Sequence, residues 1–147
     1  MPEVLQDITS AFADVPRPAH FTDHEHCCEC AEHDETLRVH DPDTIAIAQL
    51  SPAWDPICFA TIEGYLYYVP GLARLALGTG DAYYLDQFLS NLRSDRMSAF
   101  NLAQRRAVLR LLEHILGSML DEIWSSDLDL LDQLISRLRS LEPEEAP

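Results

Sequence analysis

Residues 20–40 read His-Phe-Thr-Asp-His-Glu-His-Cys-Cys-Glu-Cys-Ala-Glu-His-Asp-Glu-Thr-Leu-Arg-Val-His, and this stretch holds five of the six histidines and three of the four cysteines in the chain. Thiolate and imidazole suit zinc, and the spacing Cys27-x-x-Cys30 brings two sulfurs to one tetrahedral ion. On a helix, His26, Cys30 and His33 fall on one face at spacings of four and three, while Cys27, Cys30 and Asp34 form an adjacent row. The candidate metal ligands are therefore Cys27, Cys30 and His33, with His26 or His20 completing the set. Glu25, Glu29, Glu32 and Asp34 add attraction for a cation. No second Cys-x-x-Cys exists, so further ligands must come from His20, His24, His40 or the distant His114. The alternative is an acidic, partly exposed helix whose cysteines pack as small apolar residues and whose histidines are solvated or cap neighbours.

A redox role for Cys27 and Cys30 needs a preceding strand and an electropositive setting that lowers the thiol pKa. The acidic neighbours are expected to raise it, which argues against a reactive thiolate. Hydrolase patterns are absent. His24-Glu25 is followed by Cys28 where a zincin helix carries its second histidine, and Ser118 lacks the glycines of a nucleophile elbow. Cys58 and His114 offer a nucleophile and a base, but each reads more simply as a packed side chain. The expectation is no enzyme and no catalytic residue.

These residues must be positioned by helices. Val4, Leu5, Ile8 and Phe12 repeat at three- and four-residue spacing and predict a first helix that ends before Pro16 and Pro18. Thr22 or Asp23, with Phe21 as a hydrophobic staple, predicts a cap for a second helix from about His24 to Arg38. Asp41-Pro42 reads as the start of a short third helix carrying Ile45, Ala46, Ile47 and Leu50. Prolines 52 and 56 break the chain around Trp54. Helical spacing resumes over Ile62–Leu77, where Pro70 should kink or divide the helix. The alternative near residues 57–69 is one short β-hairpin, because β-branched and aromatic residues are enriched there.

After the turn at Gly78-Thr79-Gly80, Asp81 is a candidate cap for a helix bearing Tyr84, Leu85, Phe88, Leu89 and Leu92. Asn101 with Gln104 has the form of a capping box opening the longest helix, the expected central core element, with a seam through Val108, Leu112, Ile115, Met119 and Ile123. Ser126 or Asp127 starts the last helix, whose Leu131, Leu134, Leu138 and Leu141 pack as a core stripe or, alternatively, as a homodimer seam. Together these predict an all-α, single compact domain of about seven helices over residues 1–141, followed by a frayed acidic tail at 142–147.

With 147 residues, 47% of them apolar, the chain has the size and composition of one domain with its own core. Its 25 acidic against 10 basic residues give a net charge of −15, which opposes DNA, RNA and anionic lipid and favours a basic protein or a cation. All ten basic residues are arginine. Without lysine the chain supplies no Walker A phosphate loop, Schiff base or kinase-type phosphate lysine. The stretch Met1–Ala13 has no basic leader region, and no segment approaches the ~20 apolar residues of a membrane span. A cytoplasmic location is expected, where the cysteines stay reduced.

The segment His26–Leu37, with Cys27, Glu29, Cys30, Glu32, His33 and Asp34, resembles the signature of a bacterial family of small acidic proteins of unknown function. The stretch Phe59 through Pro70 to Leu77 and the pair Gln104-Arg105 are similar as well. The resemblance covers most of the chain and implies a helical domain without supplying an activity. In being small, acidic and helical, the chain is also similar in a general way to bacterial immunity proteins. That implies a binding protein that neutralises a basic toxin such as a nuclease, with Asp127, Asp129 and Asp132 as candidate partner-binding residues. A small metalloprotein with a structural zinc site in residues 20–40 is the alternative.

Overall fold

The computed structural model describes residues 2–51 and 53–143, and within them the chain is all-α, a single domain of seven α-helices. They are α1 (Glu3–Ala11), α2 (Cys28–Arg38), α3 (Ile62–Ala76), α4 (Leu85–Asn91), α5 (Ser94–Ala99), α6 (Leu102–Ser118) and α7 (Ser125–Ser140). Pro52 and the tail beyond Pro143 lie outside the described residues. Helices α3, α1, α6, α7 and α4 touch in that order and close back on α3, so five helices surround a common apolar core. The order follows from the apolar stripes. Leu5, Ile8 and Phe12 of the first stripe, Val108, Leu112 and Ile115 of α6, and Leu131, Leu134 and Leu138 of α7 are all buried. The leucine stripe of α7 is thus occupied within the chain.

Several expectations are corrected by long-range packing. No β-hairpin forms at 57–69: Pro56–Phe59 is a 3₁₀ turn capped by Asp55, and residues from Ile62 onward are helical. Pro70 does not divide α3, which continues through it. The most buried helix is α3, not α6, because Gly64, Tyr65, Tyr68, Val69, Gly71, Leu72, Ala73, Leu75 and Ala76 all turn inward. The third helix expected from Asp41-Pro42 is a turn instead. Asp41 Oδ1 accepts the amides of Asp43 and Thr44, and only Ile47–Gln49 winds into 3₁₀ geometry. An unforeseen short helix, α5, follows α4 directly. Asp81 sits in a 3₁₀ turn, Gly80–Ala82, and caps no α-helix. At the far end α6 stops at Ser118, so Ile123 reaches the core from beyond a further 3₁₀ turn. The tail is held at its first residue, since Glu142 pairs with Arg106 at 3.1 Å. The capping box at Asn101 is as expected, its side chain accepting from the Gln104 amide while Gln104 accepts from the Asn101 amide.

Two glycines seven residues apart on α3 fix the chain on either side of α2. A Cβ on Gly64 would stand 2.7 Å from the Phe21 carbonyl oxygen, and one on Gly71 would stand 2.6 Å from that of Pro42. Both connectors therefore rest on the bare backbone of α3. The first is locked by Thr61, whose amide donates to the Phe21 carbonyl at 2.8 Å, and by a single β-bridge between Thr22 and Ala60. The second is clamped by Arg74, which donates to the carbonyls of Pro42 and Ile45. Tyr68, fully buried, donates its hydroxyl to the Leu37 carbonyl near the end of α2.

Candidate metal centre

The first turn of α2 and the loop before it carry the site. Thr22 does not cap the helix; its amide donates to Asp34 and its hydroxyl to the Cys30 carbonyl, at 3.2 and 2.7 Å. Asp23 is not the cap either. A turn at 23–26 closes through the His26 amide on the Asp23 carbonyl, and Cys27 takes the N-cap position in extended conformation. Its sulfur accepts the Cys30 amide at 3.4 Å, where a serine or aspartate oxygen would usually sit. The helix thus begins four residues later than expected, and His26 lies off it, on the loop.

His26 reaches the cluster nevertheless. Its Nδ1 stands 3.8 Å from the Cys30 sulfur, and the ligand atoms of His26, Cys27 and Cys30 all fall within 4.8 Å of one another. His26 and Cys27 are exposed and Cys30 is buried, so the trio forms a shallow site that opens to solvent. Cys28, the first residue of the helix, is exposed and outside the trio.

His33, expected with Cys27 and Cys30 as a leading ligand, is elsewhere. Its ring stacks on Phe59 with centroids 4.4 Å apart, and its Nε2 lies 3.6 Å from a Glu29 carboxylate oxygen. That nitrogen is buried without a hydrogen-bond partner. The later helix start takes His26 off the face that Cys30 and His33 share on α2, and the His33 ring is held instead against Phe59. Helix α2 packs against the 56–59 turn, and His33 fills that contact.

The electrostatics of the trio reverse one expectation. The Cys30 amide, followed by His26, stabilises the Cys27 thiolate and lowers its pKa to about 7. His26 moves the opposite way, raised chiefly by the same sulfur. Cys30 is also raised, first by its hydrogen bond to Cys27 and then by burial. The acidic neighbours do not decide the ionisation of Cys27; the helix-start amide and the imidazole do.

A second group, His20, His24 and Asp34, was visible in the sequence only as scattered donors. Asp34 is buried, and its Oδ1 accepts the amides of Phe21 and Thr22 at 2.6 and 3.2 Å. His20 Nδ1 meets Oδ2 at 2.7 Å, and the His20 and His24 rings stack at 3.6 Å with 9° between planes. Burial works to raise the Asp34 pKa, but His20 and the two amides outweigh it and hold the carboxyl below its ordinary value. Parallel rings direct their lone pairs side by side, so one ion cannot lie in both ring planes. This group is a structural lock on residues 20–22. It carries the loop against α2 and leaves the Cys/His trio as the site with free donors.

Asp127 is also placed differently from expectation: it is buried and accepts the Tyr83 hydroxyl at 2.8 Å, whereas Asp129 and Asp132 are exposed. His114 bonds Ser118 on its own helix, and Cys58 lies on the 56–59 turn with its carbonyl accepting from Arg93. No helix is long and apolar enough to cross a membrane among the described residues. The fold and site define an all-α domain with an open Cys/His cluster at a helix start. No family model, no curated protein and no solved structure matches the chain.

Proposed function

We propose that this protein is a small metal-binding protein that holds a thiophilic divalent cation, zinc foremost, on Cys27, Cys30 and His26, and that it acts by binding and not by catalysis. The observation that supports this is the convergence of three donor atoms of the right chemistry within 4.8 Å, drawn from both a loop and a helix. Three protein donors leave one position of a tetrahedral ion to water or to a donor from another molecule. A closed structural site would supply all four. The apolar core is continuous without the cluster, so the ion is not required as a staple for the fold. The surrounding negative charge raises the local concentration of cations.

The test is cobalt titration of the reduced chain, read by the thiolate-to-metal charge-transfer band, with zinc stoichiometry by native mass spectrometry. One ion per chain is expected, lost in Cys27→Ser and Cys30→Ser, weakened in His26→Ala and unchanged in His33→Ala and Cys28→Ser. A titration without a thiolate band removes this reading.

A second reading, an immunity-type binder of a basic toxin, is favoured by a different observation. Trp124 is 53% exposed and stacks on Tyr83 at 4.2 Å, with exposed Leu120, Asp121, Glu122 and Asp129 close by in the chain. An aromatic anchor within an acidic rim suits a basic protein surface. Co-expression with the product of an adjacent reading frame tests it. Association should weaken with salt and with Trp124→Ala, and no association at low salt eliminates it.

A further inference from the structure

Cys27 and Cys30 form a dithiol as well as a donor pair. Their sulfurs lie within 4.8 Å, and a disulfide requires about 2.05 Å between sulfurs, with Cα atoms about 4.4–6.8 Å apart. Cys30 stands three residues on, in the first turn of α2, so the two sulfurs already approach on one side of the helix start, and closure draws the two Cβ atoms to about 3.5–4.5 Å. Cys27 has extended backbone, φ −161° and ψ 169°, and stands outside the helix, so its side chain does not carry the rotamer restriction of a helical residue.

Exposure orders the two sulfurs. As a residue Cys27 is exposed and Cys30 is buried, so a small disulfide in solution meets Cys27 first, and the Cys30 sulfur, within 4.8 Å, is in reach to resolve the product. Cys28 is exposed too, yet residues two apart on a helix do not face one another, which separates it from Cys30.

We propose that Cys27 and Cys30 form a reversible disulfide by exchange with a low-molecular-weight disulfide such as oxidised glutathione, and that this exchange competes with metal binding at the same sulfurs. In the first step the Cys27 thiolate attacks one sulfur of glutathione disulfide. The glutathione S–S bond breaks, a Cys27–glutathione mixed disulfide forms, and one glutathione thiolate leaves. In the second, the Cys30 thiolate attacks the Cys27 sulfur, the mixed disulfide breaks, and a second glutathione thiolate leaves. The protons of the two protein thiols end on the two glutathiones; the dithiol is oxidised by two electrons and glutathione disulfide is reduced by two. A bound ion occupies the sulfur lone pairs and blocks the attack, and closure of the disulfide leaves His26 alone, too little to hold the ion. The competition rests on the metal reading; the disulfide itself does not.

The experiment uses the full chain, reduced and stripped of metal by a chelator, then incubated with glutathione disulfide, alkylated and peptide-mapped. A Cys27–Cys30 link with Cys28 alkylated is expected. Cys30→Ser should stop at glutathionylated Cys27, and Cys27→Ser should leave Cys30 alkylated. One equivalent of zinc should slow closure by about tenfold or more. Zinc binding by the reduced chain without a Cys27–Cys30 link, or a link through Cys28, overturns this proposal alone. Closure that zinc leaves unchanged overturns the competition, and with a silent cobalt titration it removes the metal reading as well.

Discussion

Replacing Asp34 separates what holds the loop from what binds at it. Oδ1 accepts two amides from the buried segment Phe21–Thr22, and Oδ2 takes His20 at 2.7 Å. In Asp34→Ala the two amides lose their acceptor; each unsatisfied buried donor costs about 1–3 kcal/mol, so a loss of about 2–6 kcal/mol is expected. Asp34→Asn keeps one oxygen for both amides and loses the charge, so a smaller loss of about 1–2 kcal/mol is expected. Urea unfolding followed by circular dichroism measures both, with the slope unchanged if only stability moves. The pH dependence supplies a sign. Asp34 is held below the ordinary carboxylate value of 3.8, so its contribution is present above that pH and is lost as pH falls through the lower folded value. Asp34→Asn should remove this acid-side loss. An Asp34→Ala variant within about 0.5 kcal/mol of the parent would refute the reasoning, since residues 20–22 would then be held by something else.

Gly64→Ala places a methyl 2.7 Å from the Phe21 carbonyl oxygen, a backbone atom that cannot swing aside; a loss of about 1–3 kcal/mol and weaker cobalt binding are expected, read by urea unfolding and titration. Arg96 is fully buried, donates to the carbonyls of Ile57, Ala60 and Asn91, and lies 4.3 Å over the Tyr65 ring. Arg96→Lys cannot span those acceptors, and thermal unfolding should show a loss of about 3–5 kcal/mol. Metal affinity should fall with acid: with Cys27 at about 7 and His26 and Cys30 both raised, the protons displaced per ion should rise from about one at alkaline pH to about three well below pH 7, read from zinc titrations across that range.

The parts of this fold legible in the sequence are those decided locally. The stripes of α1, α6 and α7 need only a period of 3.6, and the Asn101–Gln104 box needs only four residues. Local pattern places the start of α2 too early because Thr22 and Asp23 are good caps in isolation, while in the fold the Thr22 hydroxyl donates to the Cys30 carbonyl and the residue pairs across to Ala60. Local pattern makes a helix of the turn at 41–45 because the contact with Gly71, 29 residues away from Pro42, is invisible to it. The same displacement decided the site. Cys27, Cys30 and His26 were recognisable from type and spacing, but His33 was assigned to them through a helical face that begins too late to include His26. The Cys27 ionisation was misjudged because counting charged neighbours ignores the amide that points at the sulfur.

The absence of lysine bears on the surface as much as on the chemistry. Arg17, Arg74, Arg96 and Arg105 all donate to backbone carbonyls, tying the connectors and helix ends to the core. Such bonds use the planar, multi-donor guanidinium in a way an ammonium cannot, and they neutralise no carboxylate. Arg106, Arg110 and Arg139 do meet Glu142, Asp7 and Glu113, by ion pairs in which no residue of α2 takes part. Around α2 the exposed Glu25, Glu29 and Glu32 face no arginine at ion-pair distance among the described residues, and Glu35 alone meets Arg38, at 3.7 Å. These carboxylates are therefore not neutralised by arginine beside the cluster, a setting that favours a cation over an anion, and three donors that could hold one, His26, Cys27 and Cys30, lie within 4.8 Å of one another.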